Sequence, residues 1–320
     1  MKKKCGYVAL LGRPNAGKST FLNAILGSKL AVVSNKPQTT RNKILGIFTE
    51  NDCQILLLDT PGIHQDQGLP KINQMMNKTA WNVLAEADLV CYLIDVSQGW
   101  HPEDTLWLKG ILKKYNKKLL LLATKSDKVK IREAEQERLN IEHQFQSLLK
   151  DLSSSNSLNC QLAENTSILV SSKTPEHVVF MRKLISTHMP ISDWLFGEDD
   201  LTDRSQKFVC SEIIREQIFR QLGQELPYKI AVVIEKFTTE QKVVKILATL
   251  IVDRESQKGI VIGKKGVRLK NIGMLARESL ERHLEKKVFL ELFVKVKPGW
   301  TENLSMLSEF ADLHDLSETN

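Results

Sequence analysis

The chain has 320 residues, 42% of them hydrophobic and 26% charged, with a formal net charge of +7. That length suggests about two domains, each able to bury its own core. Apolar runs such as Leu119–Leu122 are far too short to span a membrane, Met1-Lys2-Lys3-Lys4-Cys5-Gly6 has no apolar stretch of a signal peptide, and the five cysteines form no CxxC, so secretion, a disulfide scaffold and a zinc ribbon are disfavoured and a cytoplasmic home is expected.

Six Val/Ile/Leu-rich segments read as strands: Gly6–Leu11, Ile44–Thr49, Cys53–Leu58, Leu89–Val96, Lys118–Ala123 and Ser167–Val170. Several are apolar on both faces, as in a buried parallel sheet. Helical patterns fall between most of them, at Lys18–Leu26, Leu69–Ala85, Pro102–Tyr115, Ile131–Lys150 and Pro175–His188. The alternation predicts a doubly wound α/β domain over residues 1–188. Asp151–Glu164, with Ser-Ser-Ser and several Asn, reads as an exposed loop, and residues 189–202, with Pro190, Gly197 and Glu-Asp-Asp, as a linker. Beyond it the pattern changes. Gln206–Leu222 is helical, Tyr228–Phe237 and Val243–Val252 are β-rich, Lys258–His283 is helical but broken at Gly263–Gly266, and Val288–Val296 alternates as a strand. This order predicts a small α+β domain over residues 203–300. These residues hold 20 Lys+Arg against 12 Asp+Glu, whereas 301–320 hold five acids and no Lys or Arg, an acidic tail that reads either as solvated or as a competitor for the basic face. A basic excess concentrated in one domain suggests a polyanionic partner.

Gly12-Arg13-Pro14-Asn15-Ala16-Gly17-Lys18-Ser19, followed by Thr20, matches GxxxxGK[ST] between a strand and a helix. Its backbone N–H groups can converge on a phosphate, Lys18 would lie between the β- and γ-phosphates, and Ser19 would ligate Mg²⁺. Asp59-Thr60-Pro61-Gly62 follows a strand. Asp59 would reach Mg²⁺ through water and Gly62 the γ-phosphate. Thr124-Lys125-Ser126-Asp127 also follows a strand. The Asp127 carboxylate can accept from guanine N1–H and the 2-amino group, a donor pair that adenine lacks, which argues against an ATP-using P-loop enzyme. Ser171-Ser172-Lys173 would bring backbone N–H groups to the guanine O6.

Together these motifs resemble the Era family of translation-factor-type GTPases. The resemblance rests on Lys36-Pro37-Gln38-Thr39-Thr40-Arg41 as a first switch, on Asn15, and on Ile63 after Asp59–Gly62. It rests also on Asp203-Arg204-Ser205-Gln206, Ser211–Glu216, Glu225-Leu226-Pro227-Tyr228 and Val294–Trp300, and so spans about residues 5–300. It implies an α/β P-loop GTPase domain with a mostly parallel sheet, followed by an α+β type II KH domain. Ile260-Val261-Ile262-Gly263-Lys264-Lys265-Gly266 then carries the GxxG loop, and Arg268 and Lys270 extend its basic stripe.

The implied function is a GTP-binding and GTP-hydrolysing switch that binds the 3′ end of 16S ribosomal RNA and assists 16S rRNA processing and 30S subunit biogenesis. The cofactors are GTP or GDP with Mg²⁺ held by Ser19, Thr40 and Asp59, with Thr39 as the alternative to Thr40. Asn15 is the candidate K⁺ ligand. Lys18, Thr40 and Gly62 would serve catalysis. Ile63 occupies the position where many GTPases carry a water-orienting Gln, so slow intrinsic hydrolysis is expected; His64 reads as a surface turn residue. No DNA partner and a monomer are expected, and peripheral attachment to the cytoplasmic face of the cell membrane is left open. Three departures stand out: Thr124 where the family usually has Asn, Ser172 where it has Ala, and a Ser/Asn-rich loop at residues 151–165 longer than the family leads one to expect. The competing possibility is a constitutive RNA-binding assembly factor whose nucleotide domain turns over little.

Overall fold

The computed structural model describes residues 2–33, 44–60, 81–155, 157–164, 167–223 and 226–311. They form two compact units, one essentially ending at Asp203 and the other continuing from Arg204.

In chain order the first unit contains β1 (Lys4–Leu11), α1 (Lys18–Leu26), β2 (Ile44–Glu50), β3 (Cys53–Asp59), β4 (Leu89–Asp95), α2 (Pro102–Lys114), β5 (Lys118–Thr124), α3 (Ile131–Ser154), β6 (Gln161–Leu162), β7 (Ile168–Leu169) and α4 (Pro175–His188). Its sheet runs β2-β3-β1-β4-β5-β6, with β7 also on β5; β2 is antiparallel to β3 and the remaining pairs are parallel. Strands β3, β4 and the inner part of β5 are buried on both faces, as their unbroken apolar runs require. Tyr92, Ile94, Trp107, Leu108, Ile111, Ile141 and Phe145 are among the side chains of one core on this sheet. The register sets Leu10 beside Asp59 and Asp95 beside Thr124. The carboxyl ends of β1, β3, β4 and β5 therefore share one edge, where open α/β sheets place their ligands.

Helix α3 runs to Ser154, into the segment expected to be an exposed loop. Leu152 continues the buried stripe of Ile141, Phe145, Leu148 and Leu149, and this core contact outweighs the poor helix propensity of the serines. The same segment supplies a buried Cys160 and the short strand β6.

Residues 189–202 form a strap on the first unit. Cys5 N–H donates to Pro190 O at 3.1 Å, Ser192 N–H to Lys3 O at 3.2 Å and Ile47 N–H to Leu201 O at 2.9 Å. Gln54, fully buried in β3, accepts from the N–H groups of Leu195 (3.0 Å) and Phe196 (3.1 Å) and donates to Phe196 O at 3.0 Å.

The second unit contains α5 (Gln206–Gln221), β8 (Ala231–Thr239), β9 (Val243–Val252), α6 (Glu255–Ile262), α7 (Val267–Leu284), β10 (Lys287–Val296) and α8 (Leu304–Ala311). The Ser205 hydroxyl caps α5 by accepting from Phe208 N–H at 3.3 Å. The sheet order is β10-β9-β8, with β9 parallel to β10 and antiparallel to β8. α6 begins at Glu255, three residues earlier than the sequence pattern suggests, because Gln257 Oε1 accepts from the N–H groups of Asp253 (2.8 Å) and Arg254 (3.2 Å) at its start. The tail is not solvated throughout. α8 buries Leu307 against Ala231, Ile251 and Trp300, a gain that its acidic neighbours do not offset. Residues 312–320 lie outside the described residues.

Candidate functional site: a phosphate loop and a GxxG loop

The loop between β1 and α1 holds Gly12 at φ +140°, Asn15 at +64° and Gly17 at +101°. A Cβ on Gly12 would lie 2.3 Å from the Leu93 carbonyl oxygen, so this turn demands glycine. Lys18, at the first position of α1, is buried and donates from Nζ to Gly12 O at 2.9 Å and Arg13 O at 3.0 Å. Burial pulls its pKa down to about 8, against the opposing pull of Asp59. The ammonium is thus held inside the loop, where a phosphate would add to the counter-charge of Asp59.

Ser19 Oγ donates to Asp59 Oδ2 at 2.6 Å, joining the helix start to the end of β3. A hydroxyl and a carboxylate facing each other are the hard oxygen donors Mg²⁺ prefers, and the pair fits that ion. Thr60 Oγ1 donates to Leu10 O at 2.9 Å and fixes the strand end beside β1.

Thr124 Oγ1 lies 2.7 Å from Ala16 O and 3.1 Å from Ile94 O. This hydroxyl ties the end of β5 to the phosphate loop, a tether that the shorter residue still provides. Lys125, in the left-handed region at φ +60°, pairs with Asp95 at 2.7 Å. Asp127 accepts from Ser171 Oγ at 2.7 Å and from Lys173 Nζ at 2.9 Å. Burial pushes its carboxyl pKa up, but these two bonds outweigh it and hold the group ionised, below the usual carboxylate range. Ser171 N–H is fixed in turn by His177 Nδ1 at 3.0 Å, and Ser126 N–H by Val170 O at 3.3 Å. Ser172 is half-buried between Ser171 and Lys173. The structure thus gathers Gly12–Thr20, Asp59, Thr124–Asp127 and Ser171–Lys173 at one edge of the sheet. Lys36–Arg41, including Thr39 and Thr40, and Pro61, Gly62, Ile63 and His64 lie outside the described residues.

One anchor of this site escaped the sequence motifs. Arg13 reaches Asp104 (Nε to Oδ2, 3.2 Å) and Gly99 O (Nη2, 3.1 Å). Asp104 is fully buried and also accepts from the Tyr92 hydroxyl at 3.0 Å and from His101 N–H at 2.9 Å. Burial raises the Asp104 pKa more than Arg13 lowers it. The available signal was Asp104 two residues beyond Pro102, the capping position of α2.

In the second unit Gly263 (φ +72°, ψ 175°), Lys265 (φ +52°) and Gly266 (φ +77°) form the sharp connection from α6 to α7. A Cβ on Gly263 would lie 2.7 Å from the Arg268 Cβ. Lys264, Lys265, Arg268 and Lys270 are exposed around the loop, and Ile262 is half-buried beneath it. Arg268 Nη1 donates to Ile260 O at 2.7 Å, which bridges the two helices across the loop.

Known proteins agree with this division. Residues 7–125 match the family described as 50S ribosome-binding GTPase, and residues 225–301 match the KH domain. GTPase Era of Coxiella burnetii (strain Dugway 5J108-111) is 42% identical over 305 residues, covering 95% of this chain and 97% of the relative. GTPase Era of Pseudomonas fluorescens (strain Pf0-1) is 42% identical over 300 residues, 94% of each. The chain belongs to the Era family of GTPases. Two Era crystal structures are similar to 96% of the chain. One is Era in complex with MgGDPNP and nucleotides 1506–1542 of 16S ribosomal RNA (TM-score 0.82, 33% identity, 96% of this chain and 98% of the other). The other is a variant of Aquifex aeolicus Era bound to GDP.AlF4- (TM-score 0.81, 34% identity, the same coverage). As an Era GTPase, the chain combines a P-loop GTPase domain with a KH domain and hydrolyses GTP. Among the described residues no helix is long and apolar enough to cross a membrane.

Proposed function

We propose that this Era GTPase is a nucleotide-controlled switch that binds the 3′ end of 16S ribosomal RNA and assists 16S rRNA processing and 30S subunit biogenesis. The observation that carries the nucleotide half is the Asp127 carboxylate, held ionised by Ser171 and Lys173 on the same sheet edge as the phosphate loop. Its two oxygens match the donor pair of guanine. Lys18 and the N–H groups of Gly12, Arg13 and Asn15–Thr20 take the phosphates, with the positive end of α1 behind them. Ser19 and Thr40, with Thr39 as the alternative to Thr40, would ligate Mg²⁺, Asp59 would hold it through water, and Gly62 would meet the γ-phosphate. Mg²⁺ would neutralise charge developing on the phosphates. Asn15 is proposed as a K⁺ ligand; equal hydrolysis rates in Na⁺ and K⁺ would remove that role.

For RNA, Ile262–Gly266 with Arg268 and Lys270 forms the contact. The glycines let the backbone approach a phosphodiester, and the exposed cations neutralise it. Residues 1–188 serve as the GTP-binding domain, 189–202 as the connection, 203–300 as the RNA-binding domain and 301–320 as the acidic C-terminal segment. The protein acts as a cytoplasmic monomer. Its basic second domain also favours adsorption to anionic membrane surfaces, which co-sedimentation with vesicles would detect. Binding of labelled GTP competed by GDP but not by ATP, together with gel-shift of an RNA matching the 16S 3′ end, tests both halves. Competition by ATP as strong as by GDP would refute the role of Asp127.

A further inference from the structure

The sheet of the second unit has two faces of different character. A Cβ on Gly273 of α7 would lie 3.5 Å from Leu292 Cδ1, and the more buried residues of β10 alternate with exposed ones, so Val288, Leu290, Leu292, Val294 and Val296 face the helices. Phe289, Glu291, Phe293 and Lys295 face the other way. The register extends that far face across the sheet: Phe289 lies beside Lys245, Glu291 beside Leu247, Phe293 beside Thr249 and Lys295 beside Ile251. On the next strand Lys236 lies beside Leu247 and Ala231 beside Ile251. Among the described residues α8 covers the Ala231 end of this face, where Leu307 packs with Ala231 and Ile251 and Val233, Met306 and Phe310 pack against them.

Among the described residues the β10 side of this face is exposed, whereas Thr249 on β9 is buried and Leu247 half-buried. Phe289 is 52% and Phe293 54% exposed, although both stand in a regular strand. Lys236, Lys245 and Lys295 are exposed around them. Lys245 pairs with Glu240 at 2.6 Å. We propose that this far face is a second RNA contact, on which Phe289 and Phe293 stack unpaired bases while Lys236, Lys245 and Lys295 meet the phosphates. It rests on the RNA-binding function proposed above and adds a surface separate from the GxxG loop.

Charge and geometry favour RNA over a protein partner. Docking an apolar protein surface here would desolvate Lys236, Glu291 and Lys295. Bases present a π-face to an aromatic ring and leave the lysines at the solvated backbone. The two rings are four residues apart on one strand, about 13 Å, so each serves a different base. Glu291, between them, can accept from an exocyclic amino group or a 2′-hydroxyl. β10 is the edge strand, and α6 and α7, which flank the GxxG loop, pack against it. A strand leaving the loop can therefore round this edge onto the far face.

The test uses the full chain and two single-stranded RNAs from the 16S 3′ end, one of about four nucleotides, the length a KH loop clamps, and one of about twelve. Phe289→Ala with Phe293→Ala should weaken the longer RNA about 100-fold, roughly tenfold per lost stack, and leave the shorter unchanged. Phe289→Leu with Phe293→Leu should lose nearly as much, since leucine keeps apolar cover but has no π-face. Ultraviolet cross-linking of the longer RNA should label the peptide that contains Phe289 and Phe293. Gly263→Asp should weaken both RNAs. Loss with Gly263→Asp but none with the phenylalanine variants would overturn the platform alone. No loss with Gly263→Asp would overturn the RNA-binding function on which it rests.

Discussion

The Arg13–Asp104 pair permits a quantitative test of how the phosphate loop is held. Asp104→Asn keeps the side-chain volume and removes the charge. Asp104 Oδ2 accepts from Arg13 Nε at 3.2 Å and from His101 N–H at 2.9 Å, while Oδ1 accepts from the Tyr92 hydroxyl at 3.0 Å. An amide has one acceptor oxygen. Placed with its oxygen toward Tyr92, it turns its NH₂ against two donors. The Arg13 side chain is 13% exposed and that of Asp104 is fully buried, so solvent compensates little. Losing one partner of a buried ion pair costs about 3 kcal/mol or somewhat more. Arg13→Met should cost a similar amount, because it leaves the carboxylate buried. The double variant should recover part of this, with a coupling energy of about 2 kcal/mol. Four of the five tryptophans (Trp81, Trp100, Trp107 and Trp194) lie in the first unit, so urea unfolding followed by emission reports on it. GDP affinity should fall at least tenfold in each single variant, because Arg13 is part of the loop. Effects that add within about 0.5 kcal/mol would show that the two side chains do not act together, and the anchoring role would be wrong.

Three further outcomes follow from the geometry. Lys18 has a folded-state pKa of about 8 against its ordinary 10.5, so its charged form weighs against the nucleotide-free fold below pH 8, and the cost lifts as pH rises from 8 toward 10.5. Phosphates beside it restore the proton, so GDP binding near pH 9 should take up close to one proton, measured by calorimetry in buffers of different ionisation enthalpy; no uptake would contradict the buried-ammonium picture. Asp127→Asn replaces an acceptor with a donor and should lower GDP affinity by about a hundredfold or more while improving xanthosine diphosphate, whose 2-position is an oxygen; competition binding reads both. Gly263→Asp sets a Cβ against Arg268 at a positive φ and adds an anion beside the RNA backbone, so RNA affinity should drop with GTP hydrolysis unchanged. Unaltered RNA binding would remove the loop from the interface.

Much of the nucleotide site is local in the sequence, which is why it was legible. Gly12–Ser19 encodes a turn, a helix start and a cation within eight residues, and Asp59 and Thr124–Asp127 follow apolar runs that can only be buried strands. The GxxG loop is legible for the same reason, with glycines where the backbone reaches positive φ. What the sequence hid depends on distant partners. Asp104 matters because Arg13 lies across the strand ends from it, and Gln54 because residues 195 and 196 return to β3. The serines of 151–155 disguised a helix end whose fate was decided by the burial of Leu152. The first turns of the tail looked solvated by charge, yet Leu307 and Trp300 supply the apolar contact that folds them onto the sheet. The exposure of Phe289 and Phe293 was invisible as well, because an alternating strand announces two faces without saying which is covered.

The central claim is that one chain couples a guanine-nucleotide site to an RNA-binding site. Affinity for a short RNA matching the 16S 3′ end, measured with GDP and with a non-hydrolysable GTP analogue at two salt concentrations, tests it most directly. Markedly tighter binding with the analogue at both salts is the predicted result. Equal affinity in the two nucleotide states would contradict the switch and make the nucleotide domain a separate module beside a constitutive RNA-binding factor.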